Sequence, residues 1–227
     1  MTSKLERELE DLKINLLKMA AVVEEALEGA LAAHNKRDGV LASSIIENDD
    51  DINAMENAID QQCLRLLALK QPMAVDLRFI TMAMKINMEL ERIGDQAVNI
   101  AERTLQIIEE PLIIRPYGLN KLARIAQAML RDSMNAFVEG NVAQAEAVID
   151  RDDEADSLYL NLVCDILEHM TGDASLVVQG LHFTGIAHNL ERVADQATNI
   201  CEDIVYMVEC RVVKHQSLFK KANPKKP

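Results

Sequence analysis

The sequence predicts an all-α protein built from two tandem repeats, each an antiparallel three-helix bundle. A segment at 90–102 recurs at 190–202 and is identical at nine of its thirteen positions. A duplication of this kind indicates that one structural unit occurs twice in the chain. Only eight glycines and five prolines occur among 227 residues, and the residues that dominate the composition favour helices.

Both copies of this segment have the period of an amphipathic helix. Spacings of three and four place the apolar residues of the first copy on one helix face. These residues are Leu90, Ile93, Ala97 and Ile100. Glu91 and Asp95 fall on the opposite face, and Glu191 and Asp195 repeat them in the second copy. One face is therefore expected to pack against the core and the other to carry acid.

Breaks at glycine and proline divide each repeat into three predicted helices. These helices are predicted over 3–37, 40–70 and 74–109 in the first repeat, and over 119–139, 141–171 and 174–214 in the second. Short turns between long helices favour antiparallel neighbours. The predicted domains are 1–112 and 113–215, joined near two prolines and a glycine at 110–118. A basic tail at 216–227 is expected to be disordered.

Composition and charge exclude two classes of partner. The chain has 24 Lys and Arg against 37 Asp and Glu, a net charge of −13, so no nucleic-acid partner is expected. It has no run of about 18 apolar residues and no apolar signal segment at its start, so we expect a cytoplasmic protein without membrane insertion. The four cysteines lack metal-ligand spacing and are expected to be free, mostly buried thiols.

The second helices of the two repeats also correspond, at an offset of 103. This correspondence pairs Asp49 with Asp152 and Asn53 with Asp156. The second repeat therefore has two more acids one helical turn apart. The first repeat keeps one acid and has an amide at the other position.

Antiparallel packing is expected to bring these residues level with the acids of the repeated segment, because positions equidistant from a tight turn lie side by side. A turn centred on 172 sets position 152 opposite 192, and a turn centred on 72.5 sets position 49 opposite 96. The predicted site residues are Asp49, Asn53, Glu91 and Asp95 in the first repeat, and Asp152, Asp156, Glu191 and Asp195 in the second.

Crowded carboxylates raise one another's pKa and cannot all stay ionised without compensation. A solvated acidic face is the ordinary explanation for one such pair, whereas repetition of the whole arrangement favours a bound cation. Oxygen ligands suit Mg, Mn, Ca or Fe better than structural zinc. No histidine follows a glutamate at the spacing of ferritin-like di-iron sites, which argues against oxygen chemistry.

Two further residues lie near the predicted acid face. His188 precedes Glu191 by three positions, where it can act either as an ordinary partner of an acid or as a metal ligand. Asp60 continues the polar stripe of the second helix but lies about 10 Å beyond Asn53 along the helix axis. That distance is too long for the same ion, though not for a neighbouring one.

The repeated pattern Leu-Glu-Arg-x-x-Asp-Gln-Ala-x-Asn-Ile, together with Gln-Pro-Met-Ala-Val-Asp-Leu-Arg at 71–78, resembles the PhoU family of phosphate-transport and phosphate-signalling regulators. The resemblance covers nearly the whole chain. It implies two similar three-helix bundles, often in a homodimer, with acid-x-x-x-Asp motifs that bind multinuclear metal clusters. The expected cofactors are therefore divalent or trivalent ions in carboxylate-ligated clusters, with Fe, Zn, Mn and Mg as candidates.

The resemblance also implies a non-enzymatic negative regulator of phosphate uptake and phosphate-starvation signalling. Its expected partners are the ATPase subunit of a phosphate ABC transporter and a sensor histidine kinase. The residues themselves leave two alternatives open. One is a hydrolase or oxidase that uses the acid clusters as a polynuclear metal site, and the other is a plain helical scaffold with solvated acids.

Overall fold

The computed structural model describes residues 4–109, 116 and 118–213, and all regular secondary structure within them is helical. The elements are α1 (Lys4–Lys36), α2 (Gly39–Glu47), α3 (Asp49–Lys70), α4 (Val75–Ile108), α5 (Leu119–Glu139), α6 (Val142–Gly172), a short 3-10 helix (Ala174–Leu176) and α7 (Val177–Glu209). None of the described helices combines the length and the hydrophobicity needed to cross a lipid bilayer.

The first repeat contains one more helix than predicted, because the helix expected over 40–70 is broken at Asn48. The backbone amide of Asn48 donates to the carbonyl of Ser44 over 3.1 Å and closes α2. The first turn of α3 then holds three consecutive aspartates. The side chain of Asn48 makes no capping hydrogen bond, but carboxylates are stabilised at the positive end of the helix dipole. This preference favours a new helix over continuation of the old one.

The last helix ends at Glu209, short of its predicted end at 214. Cys210 adopts the left-handed conformation at φ 58, and its amide donates to the carbonyl of Tyr206 over 2.9 Å. The predicted boundary between residues 112 and 113 and the predicted tail at 216–227 lie outside the described residues.

The apolar stripe predicted for the repeated segment is buried in both repeats. Exposure is 0% for each member of the stripe: Leu90, Ile93, Ala97, Ile100, Leu190, Val193, Ala197 and Ile200. All of them belong to one continuous hydrophobic core to which both repeats contribute. Removal of this apolar surface from water is the main favourable term in folding.

The two repeats are joined along α4 and α7, which pack antiparallel. Lys85 Nζ lies 3.2 Å from Asp203 Oδ1, and the amide of Asn199 donates to Glu89 over 3.4 Å. The first helices of the repeats, α1 and α5, also contact each other. Within the described residues, α3 and α6 contact only helices of their own repeat.

The two hairpins that carry the acids differ in register. In the first, the amide of Asn87 on α4 donates to the carbonyl of Glu56 on α3 over 3.0 Å, in agreement with the predicted turn centre. In the second, the 3-10 helix lengthens the connection between α6 and α7. The turn centre moves towards the C-terminus, so Asp152 contacts Thr198 rather than position 192. The predicted register of the second hairpin was therefore wrong by more than one helical turn.

The four cysteines are free, as predicted, but only two of them are buried. Cys63 and Cys201 lie in the core, whereas Cys164 and Cys210 are exposed. The expectation of mostly buried thiols holds only for the first two.

Candidate metal centre

Three carboxylates of the second repeat converge between α6 and α7. Asp152 and Asp156 lie one turn apart on α6, and Asp195 comes from α7. One carboxylate oxygen from each lies within 4.8 Å of the others. No other group of acids, histidines or cysteines in the described part of the chain meets this closely.

Neighbouring side chains hold these acids in position. Ala155 faces the core with 0% exposure, which fixes the rotation of α6 about its axis. The hydroxyl of Thr198 on α7 donates to Asp152 Oδ1 over 3.2 Å. Arg192 Nη1 lies 3.2 Å from Asp195 Oδ2 on the same helix. Side chains of α7 thus anchor both Asp152 and Asp195.

Burial and mutual repulsion raise the pKa values of these acids. Burial, followed by the charges of Asp195 and Asp156, raises the pKa of Glu191 to about 7. Burial and then the charge of Asp156 raise the pKa of Asp152 to about 6. Burial also raises the pKa of Asp195, although Arg192 partly offsets this effect. Full ionisation of the group at neutral pH is therefore costly unless a positive charge is added.

Glu191 is the fourth acid predicted for this site, and it lies one turn before Asp195 on α7. His188 Nδ1 lies 3.3 Å from Glu191 Oε2. The ring of His188 also lies near Tyr159, with 6.0 Å between the ring centroids. Glu191 Oε2 is buried and accepts no hydrogen bond from a described residue. The proximity of His188 therefore does not decide between a partner of the acid and a metal ligand, and both interpretations stay predictions.

The first repeat places its predicted residues close together on α3 and α4. Burial raises the pKa of Glu91, and the charge of Asp95 is the next cause. Burial and then the charge of Asp49 raise the pKa of Asp95 itself. The amide of Asn53 donates to Asp49 Oδ2 over 2.8 Å. Asp49 is therefore held along its own helix, and not from the facing helix as Asp152 is.

Sequence reasoning missed Glu56, which belongs with the acids of the first repeat. Burial raises the pKa of Glu56, and the charges of Asp60 and Asp95 raise it further. Comparison of the two repeats points away from this residue, because its counterpart at the offset of 103 is Tyr159. The available signal was its position three residues after Asn53, on the same side of the helix.

Asp60, considered above for a neighbouring ion, lies one turn beyond Glu56. Its Oδ1 accepts a hydrogen bond from the amide of Asn87 on α4 over 3.2 Å. The acids of α3 therefore form a row along the helix. Such a row suits neighbouring ions better than a single ion.

The chemistry of the second cluster fits a hard cation. Asp152, Asp156, Glu191 and Asp195 offer only carboxylate oxygens, the ligands that Mg, Mn, Ca and Fe ions prefer. Burial, and then the charges of neighbouring carboxylates, raise the pKa values of Glu191 and Asp152, so the protein groups around these acids do not fully compensate their negative charge. A bound cation would supply that compensation and link α6 to α7.

Comparison with protein families and known proteins gives a consistent result. The family described as the PhoU domain matches the chain twice, at 16–104 and 119–204. The phosphate-specific transport system accessory protein PhoU homolog of Aquifex aeolicus is 39% identical over 219 residues, which cover 96% of this chain and 99% of the relative. The Escherichia coli K12 accessory protein PhoU is 34% identical, over 92% of this chain and 86% of the relative.

Two solved structures have the same fold. PhoU from Pseudomonas aeruginosa superposes with a TM-score of 0.89 at 34% identity, covering 92% of this chain and 100% of that structure. The phosphate transport system regulatory protein PhoU from Streptococcus pneumoniae superposes with a TM-score of 0.87 at 33% identity, covering 93% of this chain and 100% of that structure. The domain matches fall on the two helical repeats described above. The chain therefore belongs to the PhoU family.

Proposed function

We propose that this chain is an accessory protein of a phosphate-specific transport system and a negative regulator of phosphate uptake and phosphate-starvation signalling. The names of its relatives, which refer to accessory and regulatory roles in phosphate transport, support this proposal. Those names describe no catalytic activity, in agreement with the expectation that the chain is not an enzyme.

The convergence of Asp152, Asp156 and Asp195 is the observation that carries the rest of the proposal. In our account each repeat holds a carboxylate-ligated metal centre, and Glu191 completes the second one. The raised pKa values support this assignment, because crowded carboxylates bind a cation with relief of their repulsion. Iron, zinc, manganese and magnesium are the candidate ions.

The regulator acts in this account as a metal-dependent adaptor, and its helix packing supports such a role. A metal at the second centre would tie α6 to α7, which packs against α4 of the first repeat. Metal occupancy would thus stiffen the face that α6 presents to solvent. The proposed partners are the ATPase subunit of a phosphate ABC transporter and a sensor histidine kinase, and the proposed assembly is a homodimer.

A double variant tests whether the second centre serves regulation. Glu191→Ala with Asp195→Ala removes two carboxylates from the polar face of α7, and no core cavity should result. Cells that carry this variant should lose repression of a phosphate-starvation reporter in ample phosphate. The same cells supply protein for affinity purification, in which the ATPase subunit and the kinase should be recovered with the wild type and depleted with the variant.

Asp165→Asn is the matched control, because Asp165 is an exposed acid on α6 away from the cluster. This control should repress as the wild type does. Wild-type repression by the double variant, at equal expression and equal helical content, would contradict a regulatory role for the second centre.

A further inference from the structure

A cavity of about 460 Å³ lies between the start of α4 and the end of α7, away from the acid clusters. This volume is in the range of pockets that bind small molecules. Much of its wall is apolar: Leu77 and Met82 come from α4, and Val212 and Val213 follow α7. Leu77 and Val212 are also among the large apolar residues that remain exposed, at 41% and 65%. The cavity therefore offers an apolar surface that stays open to solvent.

Arg78 contributes a positive charge to this wall, and no acid among the described residues forms an ion pair with it, although Glu202 and Asp203 also line the cavity. Its Nε is buried and has no hydrogen-bond partner, and its guanidinium forms no ion pair with any described residue. Lys85, the other cation of the cavity, is paired with Asp203 at 3.2 Å. The side chain of Arg78 as a whole is half-buried, but a buried N–H donor without an acceptor is unfavourable. Arg78 is thus positioned for an acceptor from outside the described chain.

A second donor comes from α7. Tyr206 lines the same cavity, and no hydrogen bond joins its hydroxyl to a described residue. The hydroxyl of Thr81, by contrast, is satisfied by the carbonyls of Leu77 and Arg78 at 2.9 and 3.0 Å. The remaining acid of the cavity, Glu202, has an interaction of its own.

Helix packing alone does not require these two donors. At the offset of 100 that relates α4 to α7, the counterpart of Arg78 is Val178 and that of Tyr206 is Gln106. The second repeat thus builds the same helix contact without a cation or a phenol at these positions. The pair is a property of this cavity and not of the repeated fold.

We infer that this cavity binds a small anionic amphiphile. The acidic group of the ligand, a carboxylate, sulfonate or phosphate, accepts hydrogen bonds from Arg78 and Tyr206. Its apolar body lies against Leu77, Met82 and Val212. The site is independent of the metal centres and of the regulatory role proposed above.

The dye anilinonaphthalene sulfonate, which joins a sulfonate to apolar rings, is the probe. Fluorescence titration of the full chain should give one saturable site. Arg78→Gln should weaken dye binding about tenfold, and Tyr206→Phe about fivefold, through loss of one hydrogen bond each. Arg65→Gln removes the same charge from an exposed position on α3 and should leave binding unchanged. Thr81→Trp should block the cavity and abolish binding.

Competition identifies the ligand class. Decanoate should displace the dye, whereas decylamine and inorganic phosphate should not. Equal dye affinity for wild type and Arg78→Gln, with helical content intact, would overturn the inference, and so would displacement by decylamine or by phosphate. If Arg78→Gln does not fold, undiminished binding to a folded Thr81→Trp variant would overturn it instead.

Discussion

The hydroxyl of Thr198 on α7 donates a hydrogen bond of 3.2 Å to Oδ1 of Asp152 on α6. The counterpart of Thr198 in the first repeat is Val98, which has no donor. There, Asp49 instead accepts from Asn53 on its own helix, over 2.8 Å. The acid of the second repeat is held towards the facing helix, whereas the acid of the first is held along its own.

This difference predicts that the two metal centres bind unequally. The second should bind Mn²⁺ more tightly, because its three carboxylates already converge and less rearrangement is needed on binding. Calorimetric titration of metal-free protein should therefore resolve a tight and a weak class of sites.

Exchanges at the paired positions 53 and 156 test the same prediction. Asp156→Asn should weaken the tight class, because hard cations bind more tightly as ligand charge rises. Asn53→Asp should strengthen the weak class for the same reason. Two equal classes in the wild type, unmoved by either exchange, would contradict the assignment of these residues as ligands.

The raised pKa of Glu191 predicts how the stability of the metal-free protein depends on pH. Since the folded pKa is about 7 and the unfolded value is near 4.3, the folded state holds the extra proton between these values. The stability that Glu191 contributes is present below pH 4.3 and lost as pH rises through 7. Glutamine mimics the protonated acid. The free energy of unfolding of metal-free Glu191→Gln should therefore exceed that of the wild type at pH 8 by on the order of 1–3 kcal/mol.

Urea unfolding at pH 5 and pH 8 measures this effect, and Asp165→Asn again serves as control. At pH 5 the wild type and Glu191→Gln should have similar stability. Saturating Mn²⁺ at pH 8 should reverse their order, because the variant loses a ligand. A metal-free variant that is less stable than the wild type at pH 8 would refute the proposed charge crowding.

His34 predicts the opposite pH dependence. Its ring packs edge-on against Phe183, with centroids 5.6 Å apart. Burial, and then the charge of Arg37, lower its pKa to about 4 from 6.5. The stability it contributes is present above pH 6.5 and lost as pH falls towards 4, on the order of 2–3 kcal/mol. His34→Leu should remove that loss, whereas replacement of the exposed His169 by Gln should not. If the urea-unfolding midpoints of the wild type and His34→Leu change by the same amount from pH 7 to pH 4, the proposed role of His34 is wrong.

The buried stripe and the neighbouring acids followed from the sequence, because helical period alone decides which face each residue occupies. Ile93 and Ala97 are buried as their spacing predicts, and Glu91 and Asp95 lie opposite them. The break at Asn48 did not follow, since apolar residues continue at a helical spacing on both sides of it. The break depends on local preferences of the residues at the start of α3, and the spacing of apolar residues carries no information about such preferences.

The site was predicted less completely than the fold, for two physical reasons. The turn after Gly172 includes a 3-10 helix, so the assumed turn centre gave the wrong facing residue for Asp152. Glu56 was not predicted as a site residue because the repeats differ at this position, where the second repeat has Tyr159. Repeat comparison finds what two sites share and misses what one of them adds.

Elemental analysis of the full-length protein, purified without chelator, tests the metal centre most directly. Plasma mass spectrometry should find bound metal ions in the wild type and in Asp165→Asn, in equal amounts per chain. The variant Glu191→Ala with Asp195→Ala should lose the greater part of that metal while remaining helical. Metal-free wild-type protein, or a double variant that carries as much metal as the wild type, would contradict the account.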